Sequence, residues 1–131
     1  MKDIILSTAI GVFVIFSLAG CGNSGEKVYR LNELVEKAVA DKDGWLGKEV
    51  TVSAYVWSTG GPGGGKGYSL SMKDHRNDES ERQLSCTFPQ GDPPEGILDT
   101  TVVVTGKVVS VHSQNYLNLK SVKLDACELR K

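Results

Sequence analysis

The sequence predicts a mainly β (α+β) domain, a five-stranded Greek-key barrel with one amphipathic helix on its N-terminal side. Three observations lead there. The apolar spacing is helical from Leu31 to Lys42 and changes to a period of two from Lys48 onward. Five segments rich in β-branched or aromatic residues then follow at short intervals, each bounded by turn formers. Beyond an N-terminal export signal, about a hundred residues remain, the size of one domain with one core, so no second domain fits.

Residues 1–20 read as a lipoprotein signal peptide. Lys2 precedes an apolar run from Ile4 to Phe16, which polar Ser7 and Thr8 interrupt and which is short for a hydrocarbon core of about 30 Å. Leu18-Ala19-Gly20-Cys21 closes the run in the pattern of a bacterial lipobox: small residues suit a peptidase pocket, and the Cys21 thiol is where a diacylglyceryl group attaches. An ordinary signal peptide or an uncleaved anchor is the alternative, and Asp3 is the one departure from a positive n-region. Residues 21–27 are then the lipidated cysteine and a small, polar tether, and residues 28–131 the folded domain. This places the protein in the cell envelope, held to the membrane through lipid on Cys21 on the extracytoplasmic side. In a Gram-negative organism, Gly22 in place of Asp after the cysteine favours the outer membrane. The net charge of −1 survives processing, because Lys2 and Asp3 leave together, and it exerts no global pull toward nucleic acid or anionic lipid.

The helix from Leu31 to Lys42 sets Leu31, Leu34, Val35, Ala38 and Val39 on one face and Asn32, Glu33, Glu36, Lys37 and Asp41 on the other. Gly44 and Gly47 end it. In the first strand Val50, Val52, Ala54 and Val56 alternate with Thr51, Ser53, Tyr55 and Trp57. Further strands are expected over Tyr68 to Lys73, Arg82 to Phe88, Thr101 to His112 and Tyr116 to Leu129. Gly106 marks a bend or bulge within the fourth. In the fifth, the apolar parity shifts twice between Leu119 and Cys127, which requires two bulges or a strand that leaves the barrel. Between the third and fourth strands the prolines of Gln90 to Leu98 start a short turn, and Ile97-Leu98 can plug a barrel end. Five strands with an insertion there is the order of the oligonucleotide/oligosaccharide-binding (OB) fold.

Four stretches carry a family resemblance: Gly47-Lys48-Glu49-Val50-Thr51-Val52, Leu84-Ser85-Cys86-Thr87-Phe88, Val102-Val103-Val104-Thr105-Gly106-Lys107-Val108 and Leu124-Asp125-Ala126-Cys127-Glu128-Leu129. Through them the chain resembles the bacterial tRNA_anti-like proteins of the OB fold, many of them lipoproteins, over roughly residues 30 to 129. The resemblance implies the fold. Its motifs are short and mostly structural, and the family's name records likeness to anticodon-binding barrels, not a ligand.

With Cys21 lipidated, Cys86 and Cys127 are an even pair in a compartment that permits disulfides, and a Cys86–Cys127 bridge is expected, with two buried thiols acting as small hydrophobes the alternative. Two isolated cysteines and two scattered histidines have no metal-ligand spacing, so no metal or cofactor is expected. Gly60 and Gly65-Lys66 have the separation of a phosphate loop. However, Gly67 stands where Ser or Thr binds magnesium, and a strand follows instead of a helix, so the segment reads as a mobile hairpin connection. The acidic run Lys73 to Arg82 lacks the ordered ligands and turn glycine of a calcium loop and reads as a solvated hairpin tip. His75 and His112 have no nucleophile signature beside them, so no catalytic residue is assigned and the protein is expected not to be an enzyme.

In OB barrels, ligands lie on the outer face of the second and third strands. Alternation assigns Ser69, Ser71, Lys73, Gln83, Ser85 and Thr87 to that face, with Tyr55 and Trp57 outward on the first strand and Lys66 in the rim loop, while Tyr68 and Phe88 point inward. A nucleic-acid groove needs stacking rings and cations, and this face offers one lysine and no ring of its own. The expectation is therefore a non-enzymatic OB-type binding module for a protein, peptide or small envelope ligand. A single-stranded nucleic-acid-binding OB domain is the alternative.

Overall fold

The change of period at Lys48 is the boundary between helix and barrel in the three-dimensional structure, a computed structural model that describes residues 27–114 and 118–130. The signal peptide, Cys21 and the tether up to Glu26 lie outside the described residues, as do Tyr116 and Leu117. The elements are β1 (Val28–Arg30), α1 (Leu31–Ala40), α2 (Lys42–Trp45), β2 (Glu49–Gly60), β3 (Tyr68–Lys73), β4 (Arg82–Phe88), β5 (Thr101–Gln114) and β6 (Leu119–Arg130).

The strands lie in the order β2-β3-β4-β6-β5, and pairing of β5 back onto β2 closes them into a five-stranded barrel. β4 and β6 run parallel and the other barrel pairs antiparallel. This is an OB-type barrel with a helix on its N-terminal side. β1 is an unforeseen addition, three residues laid parallel along the start of β2. The single turn α2 is another: the Asp41 carboxylate accepts the Gly44 amide at 3.2 Å and restarts a helix where α1 stops.

α1 buries Leu31, Leu34, Val35 and Ala38, the face that its spacing marks. Its N-cap residue, Arg30, has no side-chain acceptor to offer, so the cap comes from across the molecule. Asp74, just beyond β3, accepts the Asn32 amide at 3.0 Å and the Arg30 guanidinium at 2.6 Å. Glu36 then ties the outer face of α1 to the barrel by accepting from Arg82 on β4 and from Lys120 on β6.

Inside the barrel, Tyr68 and Phe88 stack at 4.4 Å between centroids and belong to the buried core, along with Leu70, Met72, Leu84 and Leu124. Ile97 joins that core, but Leu98 is 49% exposed, so only one of the pair acts as a plug. Only the second of the last strand's two parity shifts is a bulge of that strand: the register is unbroken from Leu119 to Lys123, and the other bulge lies on the partner strand. β6 carries an extra residue near Ala126, whose φ is +52°, and β5 carries one near Val109. Gly106 stands opposite the first bulge because a side chain there would meet Cys127 Sγ at 2.7 Å and Leu124 Cβ at 3.0 Å.

The same bulge turns Cys127 inward beside Cys86. The pair stands as two free, buried thiols whose side chains interact, the reduced form of the expected bridge. Burial, and then the Cys127 contact, pushes the Cys86 thiol well above its ordinary value.

Candidate ligand-binding face

Alternation along β3 and β4 is unbroken, so their outward side chains form ordered rows. Ser69 stands opposite Thr87 and Ser71 opposite Ser85, while the intervening Leu70, Met72, Leu84 and Cys86 fill the core. Register carries one row right across the sheet: Ser58 on β2, Ser71, Ser85, Lys123 on β6 and Ser110 on β5 are successive partners. A second row runs from Gln83 to Ser121 and His112. The outer face is thus a sheet of small hydroxyls.

Two adjoining cavities cut into it and share Gln83. One, of about 280 Å³, is lined by Ser71, Gln83, Ser85, Ser110, Ser121 and Lys123 over Leu84 and Val122. The other, of about 200 Å³, is lined by Trp57, Lys73, Gln83, Arg82 and the acidic residues Asp78, Glu79 and Glu81. Trp57 sits at a break in the β2–β3 register and is 45% exposed. It borders Lys73 and the β3–β4 hairpin, not the glycine loop that its place in the sequence suggests.

Charge in this groove is mixed. Lys73 and Lys123 are cationic, and Arg82 is committed to Glu36. Burial opposes ionisation of Asp78, but the Ser80 hydroxyl and amide, at 2.9 and 3.1 Å, hold its carboxyl below the ordinary value. Asp78 therefore carries negative charge at neutral pH, beside the exposed acidic residues Glu79 and Glu81.

Two expected site residues stand elsewhere or are covered. Tyr55 keeps its outward parity yet is only 7% exposed, because the 97–100 segment is strapped along β2 through Val56. Its hydroxyl donates to Asp99 at 2.6 Å, and this bond, reinforced by burial, raises the phenol above its ordinary value. It is not an open stacking surface. Lys66 is exposed and lines neither cavity; it is bridged to Gly91 in a loop that is pinned, not mobile. The Gly67 amide donates to Gly91 O, the Gly91 amide to Gly65 O, and the Gly65 amide to the Asp92 carboxylate at 2.9 Å. Gly61 and Gly67 have positive φ and approach backbone so closely that a Cβ would lie 2.7 Å from Tyr68 Cα or Phe88 O. The glycines serve loop packing. Ser69 and Thr87 stay half-buried on the outer face beside the cavities.

The residues gained are Ser110, Ser121 and Lys123. Their face depends on the parallel β4–β6 register and on the β5 bulge, neither of which alternation alone supplies. His75 and His112 are both exposed, and among the described residues no three His, Cys, Asp or Glu side chains are placed to hold a metal ion.

Strand order and closure define a barrel of the OB type. No protein-family model matches the chain, and no curated protein matches it. Among solved structures it is similar to a Klebsiella pneumoniae protein described as a "putative nucleic acid-binding lipoprotein", at 15% identity and a TM-score of 0.57, over 82% of this chain and 94% of that one. At that identity the likeness is one of fold.

Proposed function

We propose that this protein is a lipid-anchored, extracytoplasmic binding module with no catalytic role, holding a polar protein segment, peptide or small envelope ligand in the groove between Trp57 and Lys123. One observation carries the reading: the groove is floored by hydroxyls and Gln83, has a single open ring at one end, and balances its lysines with Asp78, Glu79 and Glu81. Such a surface offers directional hydrogen bonds to a ligand of low net charge and repels a polyanion at its acidic end. The lipobox supplies the anchor, and the family resemblance agrees with both fold and anchor.

Fluorescence titration of Trp57 in a Trp45→Phe background, with neutral oligosaccharides, short peptides and an oligonucleotide as probes, tests the assignment. Saturable quenching by a neutral probe that Ser85→Arg abolishes supports it. Single-stranded nucleic acid is the second reading, favoured by Lys73 and Lys123 on one face with Trp57. The expected oligonucleotide affinity is no better than the non-specific range of about 10⁻⁴ to 10⁻⁶ M at physiological salt. Tight, salt-sensitive binding weakened by Trp57→Ala would transfer the assignment to that reading.

A further inference from the structure

Where the chain enters the fold, a second surface gathers chemistry that the groove does not use. Lys27, Tyr29, Trp45, Lys48 and Glu49 line a cavity of about 250 Å³ floored by Val50 and Thr51. The Tyr29 and Trp45 rings meet edge to face at 5.6 Å, Lys27 Nζ lies 5.2 Å from the Tyr29 ring centre, and Lys48 Nζ lies 4.4 Å from that of Trp45. Val28 and Leu46, 50% and 39% exposed, flank them. The arrangement is built locally: the Asp41-capped turn of α2 carries Trp45 back onto β1, and Gly47, at φ +87°, redirects the chain into β2.

We propose that this end of the barrel is a membrane-contact surface that rests on the phospholipid headgroups of the bilayer holding the Cys21 lipid. The inference depends on the reading that Cys21 is lipidated. Tyr and Trp rings with polar edges, set among lysines and exposed aliphatic side chains, are the chemistry of the membrane–water boundary. Lys48 forms no ion pair among the described residues, and Glu49, which also lines the cavity, has Lys107 as its register partner across the β2–β5 ladder. Lys27 is shared with Glu33 at 3.2 Å. Asp41 and Asp43 outweigh Lys42, so the attraction is local to Lys27 and Lys48 and does not come from the domain's net charge.

Chain length fixes the occupant. Lys27 lines the cavity and stands six residues after Cys21, a span of at most about 20 Å when extended. A lipid on Cys21 therefore holds this surface within one tether length of the bilayer, where the effective concentration of headgroups lets even weak contacts persist.

The test uses the processed full chain carrying Trp57→Phe, so that Trp45 is the only tryptophan, in vesicles of phosphatidylethanolamine and phosphatidylglycerol. Trp45 emission is expected to shift to the blue, to be quenched by headgroup-labelled lipid and to be shielded from aqueous iodide. Lys27→Gln and Lys48→Gln, both at exposed positions, are each expected to lower the ratio of docked to free domain about fivefold, the attraction of one surface lysine to anionic headgroups. Mass spectrometry separates the two readings. An unacylated Cys21 removes the tether and both proposals with it, whereas an acylated Cys21 with Trp45 open to iodide overturns this one alone. Trp45 shielded in native envelope preparations but open on pure vesicles would give the surface to a protein partner and also overturn it.

Discussion

Oxidation of Cys86 and Cys127 to a disulfide in the exported protein is expected to raise its stability by about 4 kcal/mol, the chain-entropy value for a closed loop of about forty residues. Two structural facts set the terms. The β6 bulge at Ala126 directs Cys127 inward against Cys86, so the sulfurs are already in contact in the reduced state. Burial raises the Cys86 thiol, so the attacking thiolate is scarce once the barrel has closed. The bridge is therefore expected to form during folding in an oxidising compartment, and reduced, folded protein is expected to oxidise and alkylate slowly. The assay is alkylation in denaturant with and without prior reduction, read by mass, followed by calorimetry of both forms. For a domain of about a hundred residues, 4 kcal/mol corresponds to a rise in Tm of about 15–30 °C. Two labelled thiols in unreduced protein taken from the envelope would refute the compartment argument. A bridged form that melts with the reduced one would refute the energetic argument.

Gly106→Ala is expected to cost about 1–3 kcal/mol, because the added methyl meets Leu124 Cβ at 3.0 Å and Cys127 Sγ at 2.7 Å. The denaturant midpoint should fall at constant m-value, and fall further in the bridged form, whose sulfur cannot rotate away. Arg82, and then Lys120, hold the Glu36 carboxyl below its ordinary value, so its contribution is present above the unfolded pKa of about 4.3 and is lost as pH falls through the folded one. Glu36→Gln should flatten the acid limb of stability against pH. The effect should stay under about 1 kcal/mol, because the side chain is 44% exposed and screened. Tyr55→Phe, which releases Asp99, is expected to speed hydrogen exchange at the Val56 and Asp99 amides that strap the 97–100 segment to β2, with the amides of β4 unchanged.

What was legible in the sequence is what period and parity encode. The faces of β3 and β4 follow from uninterrupted alternation, and the parity slip between Leu124 and Cys127 announced the β6 bulge before its partner strand was known. The helix face of α1 was legible for the same reason, but its cap was not, because Asp74 reaches Asn32 from 42 residues away. The covering of Tyr55 was hidden in the same way: parity says outward, and only tertiary structure lays Asp99 over it. Glycine richness suggested mobility in residues 60–67, yet positive φ and close backbone approach explain the same glycines in a pinned loop. Half of the groove stayed out of reach, since Ser110 and Lys123 become neighbours only through a bulged register.

Strand β2 links the two surfaces and fixes their separation. Its first residues, Glu49 to Thr51, line the cavity beside Trp45, and Trp57 opens the groove eight residues later. At the rise of an extended strand this is a path of about 25 Å. On the proposal that the Lys27 end rests on the bilayer, the groove stands off the headgroups by at most that path. The charge pattern differs between the two surfaces: among the described residues neither Lys48 nor Lys73 forms an ion pair, but Lys73 shares its cavity with Asp78, Glu79 and Glu81, an acidic set that disfavours a polyanion there.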